Sequence, residues 1–189
     1  MTTIVVVRKN GVAAIAGDSL TTFGSMRLGA ELDQSFDKII EHRGSYIGLA
    51  GSAAHQLVIQ SILSQRPELS FDGKAAVFES FRSMHPVLKE EHFLNPKEEE
   101  DDPYESSQLT ALIANRTGIY GVYSMREVFE YRRYWAIGSG REFALGAMFA
   151  CYDTYPDAAR IARIGVEAGT AFDTGSALPM TLYTIPLDR

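Results

Sequence analysis

Cysteine is nearly missing from this chain: Cys151 is the only one among 189 residues. No intrachain disulfide can form, and a zinc site built on cysteine ligands is excluded. No apolar run approaches the ~20 residues that a membrane helix requires. Met1 to Lys9 has no basic stretch ahead of its short apolar run, so it does not read as a secretory signal. The expectation is a cytoplasmic protein with no membrane partner. Basic residues are also in short supply. With 18 Lys and Arg against 24 Asp and Glu, the net charge is −6. That excludes a general nucleic-acid binder, which needs an excess of charge to neutralise phosphates.

Several site motifs are missing as well. There is no G-x-S-x-G elbow, no P-loop and no dinucleotide fingerprint, since Gly138-Ser139-Gly140 runs on into Arg141-Glu142-Phe143. His42, His55, His85 and His92 show neither H-E-x-x-H nor paired-ligand spacing, so no metal and no other cofactor is expected. Cys151, among small apolar neighbours, reads as a buried inert thiol.

What is present is a globular balance of 46% hydrophobic and 22% charged residues. A chain of this length buries about 70% of its extended surface, and it reads as one domain over 1–189. Ile4 to Val7 and Val12 to Ala16 flank Asn10-Gly11, a hairpin signal because both turn residues tolerate positive φ. Residues 19–37 read as short strands and loops. Lys38-Ile39-Ile40 and Tyr46 to Ala50 flank a second turn at Arg43-Gly44. From Ser52 the period becomes helical, with Ala54, Leu57, Val58 and Ile62 on one stripe. A second stripe follows at Val77, Phe78, Phe81, Met84 and Leu88, with Asp72 as its cap and Pro86 as a kink or stop. The acidic run 97–102 reads as a solvated loop.

Strands resume at Leu109 to Ala114, Ile119 to Tyr123, Val128 to Tyr131 and Tyr134 to Ile137. Phe143, Ala147 and Ala150 mark a third helical face. Ala158, Ile161, Ala162, Gly165 and Ala168 mark a fourth, with Pro156 in its first turn. Thr181 to Ile185 is a last strand. The order is β block, two helices, β block, two helices, β. No strand–helix–strand alternation occurs, so the class is α+β with antiparallel sheets rather than a doubly wound parallel sheet.

One place holds a possible nucleophile. Thr2 is small enough for Met1 to be removed before it. Its free amine, with a reference pKa of about 7.7–8.0, would then take the proton of the hydroxyl on the same residue. The hairpin returns Asp18 to the neighbourhood of Thr2. A lysine beside the hydroxyl would lower its pKa, and Asp18 would orient that lysine; Lys38 is the well-placed one of five. The backbone N–H of Gly51, where strand gives way to helix, is a candidate oxyanion donor.

Taken in order, Thr2-Thr3-Ile4-Val5, Gly17-Asp18-Ser19, Lys38-Ile39, Gly48-Leu49-Ala50-Gly51, Gly138-Ser139-Gly140 and Asp173-Thr174-Gly175-Ser176 resemble the landmarks of proteasome β subunits and the HslV peptidase. These are N-terminal nucleophile hydrolases, and the beta-proteobacterial proteasome homologue is a candidate subgroup. The resemblance implies a four-layer αββα sandwich, two antiparallel sheets flanked by helix pairs. It implies Thr2 as nucleophile, Asp18 and Lys38 as the pair that tunes it, and Gly51 as the oxyanion residue. Ser139, Asp173 and Ser176 correspond to the group around the free amine. Thr21, Leu49 and Ala53 correspond to the lining of an apolar substrate pocket. The Asp18–Lys38 interval implies an insertion. The function implied is a self-compartmentalised threonine-type endopeptidase acting on unfolded polypeptides. It would be assembled with itself as a stacked double ring, heptamers favoured over hexamers, and served by a separate ATP-dependent unfoldase. The acidic run would lie on an outer or pore-facing loop. The alternatives are a catalytically silent ring-forming subunit and an amidase acting on small amides.

Overall fold

The chain begins with β1 (Ile4–Lys9) and β2 (Val12–Asp18), followed by the short pair β3 (Thr21–Phe23) and β4 (Met26–Leu28). Next come β5 (Ile39–His42), β6 (Ser45–Ala50), α1 (Ala53–Gln65) and α2 (Lys74–Glu90). The second half holds β7 (Thr110–Asn115), β8 (Gly118–Val122), β9 (Val128–Glu130), β10 (Tyr134–Ile137), α3 (Arg141–Cys151), α4 (Ala158–Phe172) and β11 (Met180–Pro186). The computed structural model describes residues 1–96 and 104–188, so the acidic run 97–102 lies outside the described residues.

The first hairpin forms where the sequence places it. Asn10 and Gly11 have φ of 49° and 76°, left-handed values that few residues adopt without strain. The register pairs Ile4 with Gly17 and Lys9 with Val12. This hairpin is the centre of a four-stranded antiparallel sheet in the order β10-β1-β2-β11. A five-stranded antiparallel sheet runs β5-β6-β7-β8-β9.

Side-chain alternation builds the layers. Ile4, Val6, Ala13 and Ile15 face Leu112, Ala114 and Ile119 in the slab between the sheets. Val5, Val7, Ala14 and Ala16 turn the other way, against Ala144 and Met148 of α3 and Ile161, Ala162 and Val166 of α4. Beyond the larger sheet, Ile47, Ala111 and Ile113 pack on Ile59, Ile62, Val77, Phe81 and Met84 of α1 and α2. A central strand covered on both faces needs an unbroken apolar run, which explains Ile4-Val5-Val6-Val7. The result is the expected αββα sandwich.

Several local expectations need correction. The buried stripe of α1 is Ile59, Ile62 and Leu63; Leu57, expected on it, is 70% exposed, and Ala54 is exposed too. Phe78 and Phe143 are also exposed, and α3 buries Ala144 and Met148 rather than the Phe143, Ala147, Ala150 face. These helices are apolar on more than one side, so periodicity alone does not select the buried side. Asp72 does not cap α2. Gly73 occupies the cap position, and the Asp72 carboxylate pairs with Arg116 at 2.7 Å. Pro86 does not stop α2, which continues to Glu90. Pro156 precedes Asp157, and it is Asp157 that caps α4 by accepting from the Ala159 N–H at 2.9 Å. Cys151 is half-buried, not enclosed, and burial raises its thiol pKa, in keeping with an unreactive thiol.

Candidate active site

Thr2 lies just before β1, at the end of the sandwich where β2, β5, β10 and α4 also come close. The β1–β2 register carries Asp18 to its side: the Asp18 N–H donates to the Thr3 carbonyl at 3.1 Å. Asp18 is buried, and its carboxylate is fully engaged. Oδ1 accepts from the Thr3 N–H at 2.9 Å and from Lys38 Nζ at 2.8 Å. Oδ2 accepts from the Leu20 N–H at 3.0 Å and the Ala177 N–H at 3.1 Å.

Lys38 sits just ahead of β5 and is 8% exposed. Its neighbour Asp37 fixes the approach, accepting from the Ile39 N–H at 2.9 Å, Thr181 Oγ1 at 2.8 Å and the Tyr183 hydroxyl at 2.5 Å. Lys38 Nζ donates to Asp18, to the Leu20 carbonyl at 2.7 Å and to Thr2 Oγ1 at 3.1 Å. All three ammonium donors are thereby used. Burial pulls the Lys38 pKa below its ordinary value, while the charge and hydrogen bond of Asp18 and the more distant charge of Asp173 work against that shift.

A second polar cluster meets the Thr2 backbone nitrogen. The Thr2 N–H donates to Ser139 Oγ at 3.1 Å, and Ser139 donates to Asp173 Oδ2 at 2.7 Å. Ser176 donates to the same oxygen at 2.6 Å. A hydroxyl has one proton, so Ser176 receives its contact with Thr3 Oγ1, at 2.7 Å. Burial works to raise the Asp173 pKa, but the hydrogen bonds from Ser176, Ser139 and the Gly175 N–H outweigh it and hold the carboxyl below its usual range. Asp173 therefore carries negative charge at neutral pH. It is also the residue that closes the C-terminal end of α4.

Glycine makes this packing possible at one turn. Gly138 has φ of 91°, and a Cβ there would fall 2.0 Å from the Thr2 carbonyl oxygen. A Cβ on Gly140 would fall 2.0 Å from Thr3 Oγ1. The Gly140 N–H meanwhile donates to the Thr2 carbonyl at 3.3 Å.

Thr2, Lys38 and Gly51 border a cleft of about 420 Å³ whose walls include Thr21, Leu49 and Ala53. All ten residues singled out in the sequence are thus in or around one site: six border the cleft, and Asp18, Ser139, Asp173 and Ser176 hold Thr2 and Lys38 from behind. The longer Asp18–Lys38 interval contains the β3–β4 pair, and Thr21 at its start contributes to the cleft wall. Sequence reasoning missed Thr3, the Leu20 carbonyl and the Ala177 N–H. Only Thr3 left a trace, as a polar residue directly ahead of an apolar strand; backbone groups leave none. Met1 also borders the cleft, and its side chain fills the space where a Cβ on Gly175 would stand. Among the described residues no group of three or more His, Cys, Asp or Glu is placed to hold a metal, and no helix is long and apolar enough to cross a membrane.

Thiobacillus denitrificans BPH superimposes on this chain with a TM-score of 0.92 at 38% identity, covering 98% of each chain. Its complex with epoxomicin gives a TM-score of 0.92 at 36% identity, covering 99% of this chain and 100% of that one. The chain belongs to the proteasome β-subunit and HslV-like family, with BPH as its relative. Eukaryotic HslV from Trypanosoma brucei, at 20% identity, shares the fold with a TM-score of 0.73 over 97% of this chain and 99% of that one. No protein-family model matches the chain, and no curated protein matches it either. Membership in this proteasome-like family identifies the αββα sandwich as an N-terminal nucleophile hydrolase fold.

The Asp18–Lys38 pair generates a direct prediction. Asp18→Asn leaves the Lys38 ammonium buried without its counter-charge, and breaking a buried pair this way costs about 3–5 kcal/mol. Chemical denaturation should show a loss of that order. A loss below about 1 kcal/mol would mean that Asp18 is not the anchor of this site.

Proposed function

We propose that the chain is a threonine-type endopeptidase, active as one domain over 1–189, that cuts unfolded polypeptides once Met1 has been removed. The observation that carries this reading is the 3.1 Å contact between Lys38 Nζ and Thr2 Oγ1, with the lysine itself held by Asp18. A fixed positive charge beside a hydroxyl favours the alkoxide.

In the proposed reaction the freed α-amine of Thr2 accepts the proton of Oγ1 as the oxygen attacks the peptide carbonyl. Ser139, itself held by Asp173, contacts the Thr2 nitrogen, and the Ser139–Asp173–Ser176 cluster would orient the amine in the processed chain. The tetrahedral oxyanion is met by the Gly51 N–H, and the protonated amine then hands its proton to the departing amine. Water, activated by the same amine, releases the acyl group from Thr2. Thr21, Leu49 and Ala53 offer an uncharged pocket, which suits an apolar side chain before the scissile bond. The epoxomicin complex of BPH makes epoxomicin a natural first ligand to test.

An open-access peptidase in the cytoplasm, the compartment we propose, would attack its host's proteins. We therefore infer assembly into a stacked double ring, heptameric in preference to hexameric, fed by a separate ATP-dependent unfoldase because the chain has no nucleotide motif. Head-to-tail contacts close into such rings when the rotation between neighbours divides the circle. A catalytically silent ring subunit is the second reading: were Met1 retained, the Thr2 nitrogen would be an amide and not a base.

Three outcomes are expected. Intact mass of purified protein shows loss of Met1, and Thr2→Ala abolishes hydrolysis of unfolded casein and fluorogenic peptides while the circular dichroism and assembly are unchanged. Retention of Met1, or substantial turnover by the alanine variant, overturns the enzyme reading.

The pH dependence has two limbs of predictable sign. On the acid side, activity falls as the Thr2 amine protonates, near its reference pKa of about 8. On the alkaline side, burial has lowered the Lys38 pKa from 10.5, so the charge that assists Oγ1 is lost before pH 10.5. A kcat/KM profile flat through that pH, or a Lys38→Ala variant within about tenfold of wild type, would remove Lys38 from the mechanism. Native mass spectrometry decides the assembly: fourteen subunits supports stacked heptamers, twelve supports hexamers, and a stable monomer refutes the chamber.

A further inference from the structure

A second cleft, of about 460 Å³, adjoins the one that holds Lys38 and shares Gly51 with it. Its lining includes Ala50, Gly51 and Gly138 together with Tyr123, Trp135 and Arg141. Gly51 borders both clefts, and the Gly138 backbone lies against the Thr2 carbonyl. Thr2 therefore borders the first cleft and touches the lining of the second. A polypeptide extended through the site with its scissile carbonyl at Thr2 and Gly51 could then place its acyl half in one cleft and its departing half in the other.

The walls of the second cleft are braced. The Trp135 indole N–H donates to the Tyr123 hydroxyl at 2.6 Å. The Trp135 ring stacks on Tyr131 with centroids 5.1 Å apart and planes 11° from parallel, and the Tyr123 and Tyr131 hydroxyls meet at 3.0 Å. Three aromatic rings thus hold one another's orientation, so little rotamer freedom is lost when a ligand arrives. Trp135 nevertheless remains 36% exposed, large for a ring so restrained.

Arg141, at the start of α3, is the sole charged residue among those lining the cleft. One guanidinium nitrogen donates to the Gly138 carbonyl at 3.2 Å, which tethers the side chain to that part of the lining, and another lies 3.5 Å from the exposed Glu142 carboxylate. A guanidinium has five N–H donors, so donors remain for a ligand.

We propose that this cleft is the subsite for the leaving half of the substrate, taking an aromatic side chain directly after the scissile bond against Trp135 and Tyr123 and a carboxylate one residue further on at Arg141. The proposal rests on the peptidase reading for its role but not for its detection. Trp135 is the chain's one tryptophan, so its emission reports occupancy without turnover.

The experiment is done on the full chain carrying Thr2→Ala, titrated with the tripeptide amides Phe-Asp-Ala, Phe-Lys-Ala and Ala-Lys-Ala, each with the free amine that cleavage would generate. The expected result is a saturable change in tryptophan emission, with Phe-Asp-Ala binding about tenfold tighter or better. Arg141→Gln should lower the preference for Phe-Asp-Ala over Phe-Lys-Ala by about fivefold. No saturable change, or equal affinities, overturns the subsite. A parallel series of internally quenched peptides with a constant acyl half and the same leaving halves is then given to the Thr2 enzyme. Turnover indifferent to the leaving half overturns the subsite and leaves the peptidase standing. Selective binding without any turnover overturns the peptidase and keeps the cleft as a peptide-binding site.

Discussion

The buried carboxylate of Asp18 is the constraint on which the site depends. Its two oxygens receive one ammonium and three backbone N–H groups, and those donors come from the segments beginning β1, following β2, beginning β5 and preceding β11. Burying a carboxylate costs several kcal/mol unless it is fully paired, and here every partner is supplied by a different part of the chain. The carboxylate therefore exists in this place only when the hairpin, the larger sheet and the final strand are all in register. Conversely, the position of Lys38 is inherited from that register. Its ammonium points at Thr2 Oγ1 because two other acceptors, Asp18 and Leu20, have already fixed its remaining hydrogens.

The same logic runs through the Asp173 cluster. A carboxylate at the end of α4 is normally disfavoured, because the helix dipole places partial negative charge there. The hydrogen bonds from Ser139, Ser176 and the Gly175 N–H compensate, and by doing so they tie α4 to the turn after β10 and to the start of β1. Two carboxylates thus flank Thr2, one beneath its hydroxyl through Lys38 and one beside its nitrogen through Ser139. Nucleophile and base belong to a single residue in the proposed chemistry, and each end of that residue has its own electrostatic support. Gly138 and Gly140 let the two halves meet, since any side chain at either position would occupy the space of Thr2 or Thr3.

The two clefts that share Gly51 differ in character. The one that contains Lys38 is lined mostly by small or aliphatic groups such as Thr21, Leu49 and Ala53, with Phe23 and Gln56 among its other walls; small and aliphatic groups discriminate weakly. The other is walled by restrained aromatic rings and a tethered guanidinium. Under the proposed chemistry, the larger part of any sequence preference would belong to the departing half of a substrate.

Much of this was legible without coordinates. Asn10-Gly11 between two apolar runs dictates a hairpin, because its geometry is local and only two residues need positive φ; the hairpin in turn brings Asp18 to Thr2. The block order of strands and helices dictates antiparallel sheets, since no helix is available to cross between parallel neighbours. The residues that the fold gathers around Thr2 could be named in advance because Thr2, Asp18, Lys38, the Gly138-Ser139-Gly140 turn and the Asp173–Ser176 pair stand in the order of a known family. What only the tertiary structure decided is which side of each helix faces inward, as with Leu57 and Phe143, because α1 and α3 carry apolar residues around most of their circumference and burial depends on the partner sheet. The partners of Asp72, the backbone donors to Asp18 and the bracing of Trp135 were likewise invisible. Each depends on groups brought together from distant positions, and backbone N–H and C=O groups are the same at every residue, so the sequence does not distinguish those that will converge.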